Sequence, residues 1–139
     1  MSASWAETVR QVTARAAGRC EYCRMHQSLQ GATFHIEHVV PQAAGGPDTA
    51  DNLAVACPSC NLGKSSRVRA RDPETGEDAP LFNPRADRWA DHFAWGEGRT
   101  VVGLTAAGRA TVAALNLNHP RRVRIREAEG LYDLFPPDV

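Results

Sequence analysis

Apolar positions near the start of the chain recur with a helical period. Between Trp5 and Ala17 they lie three or four residues apart, with polar side chains between them. Gly18 follows at a position that suits the end of a helix. The pattern predicts an amphipathic helix over residues 5–17.

The pattern then changes from helical to extended and back again. Residues 33–40 are rich in β-branched and aromatic side chains, which predicts two short strands that meet at a bend. A second apolar run occupies residues 53–56. The polar and basic sequence that follows a Pro58 turn predicts a basic helix that reaches about Arg71.

The remainder of the chain predicts short elements joined by turns. We expect a polar linker over residues 72–80, a helix that begins at Asn83-Pro84, a strand over residues 100–103, a helix from Thr105 to Leu115, and an irregular tail from Pro120. In the first of these helices, Trp89 and Phe93 lie four residues apart and are predicted to share one face.

Length and composition limit what these elements can build. A chain of 139 residues is enough for one domain, and its Lys and Arg residues balance its Asp and Glu residues at 16 each. A surface that binds nucleic acid would therefore need a local cluster of basic residues. No apolar run has the length of a signal peptide or a membrane span, so the sequence predicts a cytoplasmic protein without membrane association.

All the cysteines lie in two CxxC pairs. These are Cys20 with Cys23, and Cys57 with Cys60. In a reducing compartment two such pairs predict a tetrahedral structural zinc site, since each CxxC turn offers two sulfurs to one ion. Four cysteine ligands leave no coordination position for substrate, so this ion would have no catalytic role. Two redox dithiols and two disulfides are the alternatives.

A second group of chemically useful side chains lies between and beside the cysteine pairs. The segment FHIEHVVP contains Glu37 and His38, the segment DNL contains Asn52, and the segment CNLGK contains Asn61. Hydrolysis of a phosphodiester bond needs a base for water and a cation that neutralises charge on the phosphate. Carboxylate and amide oxygens suit a hard cation such as Mg²⁺.

These segments, in this order and with their flanking cysteines, resemble the HNH endonuclease family, whose fold is also called the ββα-metal or His-Me finger. The resemblance is close from Cys20 to Lys64. It implies that His38 is the general base and that Asn52 holds the loop that orients it. It further implies that Glu37 and Asn61 are catalytic residues that bind a catalytic Mg²⁺ or Mn²⁺, with His35 as a further candidate ligand.

Basic side chains after Asn61 are candidates for contact with DNA phosphates. They are Lys64, Arg67, Arg69 and Arg71. A second basic cluster lies in the tail, where DNA contact and an ordinary solvated face remain equal alternatives. Its members are Arg121, Arg122, Arg124 and Arg126.

Together these observations predict an α+β fold. The resemblance implies a small ββα-metal core, which we expect a four-cysteine zinc site to hold together and N- and C-terminal helices to flank. We expect residues 1–139 to form a single HNH nuclease domain, with a zinc-framed catalytic core over about 18–71 and a C-terminal extension over about 80–139. The predicted partner is DNA, contacted through its phosphate backbone. Two rival functions are a non-catalytic zinc-ribbon module that binds DNA and a protein–protein adaptor.

Overall fold

The structure is a computed structural model that describes residues 3–138. It is a mixed α/β fold of short elements, which confirms the predicted fold class. The helices of the described residues are α1 (Trp5–Ala16), α2 (Pro58–Lys64), α3 (Trp89–His92), α4 (Ala106–Ala114) and α5 (Pro120–Leu131). The strands are β1 (His35–His38), β2 (Leu53–Ala56), β3 (Arg69–Arg71), β4 (Asp78–Pro80), β5 (Phe93–Trp95) and β6 (Val101–Gly103).

Strands β1 and β2 and helix α2 form the unit at the centre of the fold. The two strands are antiparallel, and Glu37 lies opposite Ala54. The prediction of two strands within residues 33–40 was wrong, because the partner of β1 is the apolar run 53–56. All four residues of β2 are buried, which explains why that run lacks the alternating pattern of a half-exposed strand.

Helix α1 packs on β2 and begins at a capping box. The Ser4 hydroxyl accepts a hydrogen bond from the Glu7 N–H, and the Glu7 carboxylate accepts one from the Ser4 N–H. The helix ends at Ala16, and Ala17 adopts the left-handed conformation before Gly18. The prediction of an N-terminal helix is therefore confirmed to within one residue.

The chain after α2 departs from the prediction. The helix ends at Lys64, and Arg69–Arg71 forms strand β3, which pairs with β4 as an antiparallel hairpin. The predicted linker over residues 72–80 is therefore the turn and second strand of this hairpin. A Gly76 with φ of 75° completes that turn, where side chains other than glycine are strained.

The prediction of a helix that begins at Asn83-Pro84 and carries Trp89 and Phe93 on one face was wrong, because α3 spans only Trp89–His92. Trp89 lies in α3 and Phe93 begins β5, and their rings are 5.0 Å apart. The strand predicted over residues 100–103 is confirmed as β6. The helix capped by Thr105 is confirmed as α4, because the Thr105 hydroxyl accepts a hydrogen bond from the Gly108 N–H.

The tail is helical where we predicted irregular structure. Helix α5 begins with Pro120 at its first position, and the His119 side chain caps it. Proline suits the first position of a helix, because the backbone N–H that it lacks would have no partner within the helix there. No helix of the described residues is long and apolar enough to cross a membrane.

Candidate functional site

The four cysteines converge on one point in the interior. Their sulfur atoms all lie within 4.8 Å of one another, and all four residues are buried. The Sγ atoms of Cys23 and Cys57 are 3.8 Å apart. Four sulfurs bound to one zinc ion at about 2.3 Å would be separated by about 3.8 Å, so the cluster fits a tetrahedral zinc site.

Each cysteine pair lies in a turn that holds its sulfurs in place. In the first turn the Cys20 N–H donates to the Met25 carbonyl, and Arg24 adopts the left-handed conformation. In the second, Cys57 caps α2 and its sulfur accepts from the Cys60 N–H at 3.4 Å. These turns point both sulfur pairs into the same space, which indicates a structural zinc.

Burial makes Cys20 and Cys60 unsuited to remain as thiolates without a cation, because it raises the pKa of both thiols well above their ordinary value. Hydrogen bonds among the four sulfurs instead lower the pKa of Cys23 and Cys57. A zinc ion overcomes the penalty of burial because it binds the thiolate form directly.

Glu37 lies near the end of β1 and is almost fully buried. Its Oε1 accepts a hydrogen bond from the Tyr22 hydroxyl, and its Oε2 lies 3.3 Å from the Lys64 Nζ. Burial raises the pKa of Glu37, and the Lys64 ammonium and the Tyr22 hydrogen bond oppose that increase. The carboxylate is thus held in one orientation, and each of its oxygens keeps a lone pair for a further partner.

His38, the next residue, is held by a partner that the sequence analysis missed. Its Nε2 lies 2.6 Å from Oδ1 of Asp48, and the Gln42 side chain donates to the same oxygen at 2.8 Å. The hydrogen bond from His38 keeps the pKa of Asp48 below its ordinary value. A carboxylate accepts, so Nε2 carries the hydrogen, and the Nδ1 of a neutral ring keeps its lone pair.

Asn52 closes the loop between β1 and β2. Its Oδ1 accepts from the Val40 N–H, and its Nδ2 donates to the carbonyls of Val40 and Pro47, all at 3.0 Å. At Gly46 an added Cβ would lie 1.8 Å from the Val40 carbonyl oxygen, so the loop requires glycine there. These hydrogen bonds hold the loop closed, and the role of Asn52 in orienting His38 stays a prediction.

Asn61 faces the same shallow cleft as Glu37 and His38. The cleft has a volume of about 270 Å³, and Pro41, Gln42 and Ser65 also line it. His35 is an exposed residue at the first position of β1 and does not line this cleft. The oxygen donors of Glu37 and Asn61 fit a hard divalent cation, which takes one or two protein ligands and completes its shell with water.

The predicted DNA-binding residues separate into different environments. Lys64 is only 1% exposed, and its Nζ donates to the Val39 carbonyl at 2.9 Å in addition to pairing with Glu37. Its position in the interior excludes it from a phosphate-binding surface. Arg67, Arg69 and Arg71 are exposed, but they lie beyond α2 rather than on it, and Arg69 pairs with Asp78.

The second basic cluster is also divided. Arg121 and Arg124 are exposed, whereas Arg122 and Arg126 are buried in α5. Helical spacing would place Arg122 and Arg126 on one face of a helix. We did not use this spacing, because we predicted that the tail was irregular. The Asp48 contact had no comparable signal, since it depends on the path of the loop.

Comparison with known proteins agrees with this geometry. Residues 20–67 match the family model described as HNH endonuclease. No curated protein and no solved structure matches the chain. The matched segment contains the four cysteines, the paired strands and helix α2, along with Glu37, His38, Asn52 and Asn61. The resemblance to the HNH endonuclease family is therefore confirmed over residues 20–67.

Proposed function

We propose that this protein is a metal-dependent endonuclease that hydrolyses phosphodiester bonds of DNA. The HNH match supports a nuclease or DNA-binding role at the level of the family. The observation that supports catalysis is the cleft itself. It brings together an oriented histidine, His38, and two oxygen donors, Glu37 and Asn61.

In the proposed reaction His38 is the general base. Its Nδ1 accepts a proton from a water molecule, whose oxygen forms a bond to phosphorus. The bond from phosphorus to the 3′ oxygen breaks, and that oxygen takes a proton from solvent. The product then carries a 5′ phosphate, as the family resemblance implies.

Glu37 and Asn61 are proposed to hold Mg²⁺ or Mn²⁺. When bound, the cation would neutralise charge on the phosphate and on the leaving oxygen. Tyr22 and Lys64 hold the Glu37 carboxylate, which belongs to a residue that lines the cleft, in one orientation. Asn52 fixes the loop that carries Asp48, and Asp48 fixes the ring of His38. Asp48 is thus proposed as a positioning residue.

We propose that the exposed arginines after α2 contact the DNA backbone. Arg67, Arg69 and Arg71 are available for such contacts, whereas the buried Lys64 is not. Residues 1–139 would act as one domain, in which the core of about 18–71 carries the chemistry. The extension of about 80–139 would support that core.

A plasmid-cleavage assay with and without Mg²⁺ or Mn²⁺ tests the proposal. We expect cleavage only with the cation, and a loss of about 10²- to 10⁴-fold in rate for His38→Ala. DNA binding should change little, because phosphate contacts lie elsewhere. His119→Asn is the matched control, since it replaces a histidine outside the cleft with a residue that also caps helices.

Zinc must remain bound throughout this assay. Chelators are therefore avoided, and catalytic metals are removed by dialysis against buffer that contains zinc. Cleavage by His38→Ala at the parent rate would contradict the proposed mechanism. If the parent protein and His38→Ala both bind DNA but neither cuts it, the non-catalytic zinc-ribbon module becomes the better interpretation.

A further inference from the structure

Helix α5 buries three charged side chains on one face. Arg122, Arg126 and Glu129 are 4%, 0% and 1% exposed, at a spacing of four and then three residues. Charged groups are rarely buried unless they are paired, because removing them from water is costly. The partners of these side chains should therefore show what the helix does.

Arg122 reaches the second cysteine turn. Its Nη2 lies 2.8 Å from Sγ of Cys60 and 3.7 Å from Sγ of Cys57, and its Nη1 donates to the Leu115 carbonyl at 2.7 Å. A guanidinium is permanently charged and cannot accept a hydrogen bond, so this contact favours thiolate over thiol.

Glu129 reaches the chain just after the first cysteine turn. Its Oε2 accepts a hydrogen bond from the His26 N–H at 2.6 Å. The adjacent Arg126 donates to the carbonyls of Leu117 and Arg99, which ties the middle of α5 to the loops beside it. One helix thus contacts the second cysteine turn and the residue that follows the first.

The net charge of a zinc ion bound to four thiolates explains why the Arg122 guanidinium lies beside the cysteines. One Zn²⁺ and four thiolates carry a formal charge of −2 in a region where every sulfur ligand is buried. Arg122 reduces this to −1 and donates a charge-assisted hydrogen bond to a sulfur, which stabilises the bound state. Hydrogen bonds to metal ligands typically change metal affinity by about 10- to 100-fold.

We propose that α5 is a charged clamp on the zinc site, in which Arg122 is the electrostatic partner of Cys57 and Cys60 and Glu129 secures the first cysteine turn. Zinc retention and docking of α5 are then linked, so that each stabilises the other. The clamp joins the C-terminal extension to the HNH segment. It does not depend on nuclease activity.

The rate at which zinc is transferred to a chromogenic chelator tests the clamp. Arg122→Met keeps the length of the side chain and removes its charge, and we expect release about tenfold faster or more. Arg124→Met is the matched control, because it makes the same change at an exposed position of the same helix, and release should stay within about twofold of the parent. Arg122→Lys keeps the charge and should fall between the parent and Arg122→Met.

Two further measurements separate an electrostatic role from simple packing. With Co²⁺ in place of zinc, the thiolate-to-cobalt charge-transfer band should shift in Arg122→Met and remain unchanged in Arg124→Met. Glu129→Gln should also release zinc faster, and it provides the test together with Arg122→Lys if Arg122→Met fails to fold. Release at the parent rate from the folded Arg122 and Glu129 variants would overturn the proposal.

Discussion

Two carboxylates beside the same cleft are held in very different surroundings. Glu37 is buried between Tyr22 and Lys64, whereas Asp48 is 59% exposed and contacts His38. A buried carboxylate that already has a cationic partner keeps its position when a metal ion is absent. An exposed carboxylate that bonds one ring nitrogen instead selects the tautomer and orientation of that ring.

Replacement of Asp48 should therefore affect catalysis more than binding. Asp48→Asn keeps the shape of the side chain but weakens the acceptor for the His38 Nε2–H, so the ring is held less firmly in the tautomer that leaves Nδ1 free to accept a proton. We expect a lower kcat with little change in KM for DNA cleavage. Asp48→Glu, which restores a carboxylate, should recover part of the rate.

Steady-state cleavage of a defined duplex measures both parameters, and Asp51→Asn is the matched control. Asp51 is an exposed carboxylate in the same loop, but it contacts Thr49 rather than the histidine. Equal kcat values for Asp48→Asn and the parent would show that the His38 contact does not matter for the reaction.

At the scale of single residues, the sequence predicts those functional residues that lie close together along the chain. The proximity of Glu37 to His38 and the CxxC pairs can be read directly along the chain. The contact of Asp48 with His38 cannot, because it needs the fold of a loop that Asn52 and Gly46 close. Burial of Lys64 was also hidden, since a lysine in the last turn of a helix usually suggests an exposed cation.

At the scale of elements, a buried carboxylate helps attach the β3–β4 hairpin to α4. Asp72 follows β3, and its side chain has no exposed surface. Its Oδ2 accepts from Nη2 of Arg109 at 2.8 Å, and its Oδ1 accepts from the Glu74 N–H at 2.9 Å. The Arg109 hydrogen bond lowers the pKa of Asp72 to about 2, although removal from water acts in the opposite direction.

This ion pair predicts a specific dependence of stability on acid. Because the pKa of Asp72 is lower in the folded state than the value of about 3.9 in an unfolded chain, the ionised carboxylate stabilises the fold above that value. The stabilisation is lost as the pH falls from about 4 toward about 2. Asp72→Asn should be less stable than the parent at pH 7, and the difference should decrease over this window.

Urea unfolding of both chains at a series of pH values measures the effect. Acid also releases zinc from thiolates, but it does so in both chains, so their difference isolates Asp72. Asp78→Asn serves as the control, because Asp78 is an exposed carboxylate of the same hairpin that pairs with Arg69. A difference between Asp72→Asn and the parent that stays constant down to pH 2 would contradict this assignment.

Elements with local signals were predicted well, and those stabilised by distant contacts were not. Helix α1 has a capping box and α4 has Thr105 at its start, and both were found. The hairpin of β3 and β4 was predicted as a helix end and a linker, since its strands have only three residues each. Such short strands depend on packing against α4 rather than on their own pattern.

At the scale of the whole molecule, the cysteine cluster joins parts of the chain that are distant in sequence. The first turn follows α1 and the second begins α2, while α5 contacts the second turn through Arg122 and the residue after the first turn through Glu129. The first turn is also tied to β2, because Glu21 accepts a hydrogen bond from the Val55 N–H at 2.8 Å. The hydrophobic core surrounds this cluster, and all four cysteines are part of it.

Zinc should therefore be needed for the fold as a whole. Without the ion, four buried sulfur atoms would remain within 4.8 Å of one another, and Arg122 would lose the negative charge that it faces. Structural zinc in small domains contributes on the order of 10 kcal/mol to folding. A domain of this size has a net stability of about 5–15 kcal/mol, which is comparable to the zinc contribution, so we expect loss of the ion to unfold it.

Metal analysis and unfolding measurements test this prediction together. Purified protein should contain about one zinc ion per chain, and a strong chelator with reductant should abolish its cooperative unfolding transition. Added zinc should restore the transition, whereas Mg²⁺ should not, because thiolates are poor ligands for a hard cation. The reductant also tests the disulfide alternative. It would break disulfides whether or not zinc is present, so recovery of the transition on adding zinc to the reduced protein would indicate a metal site. A chelated, reduced chain that unfolds at the parent's urea concentration would show that the four cysteines do not hold a structural metal ion.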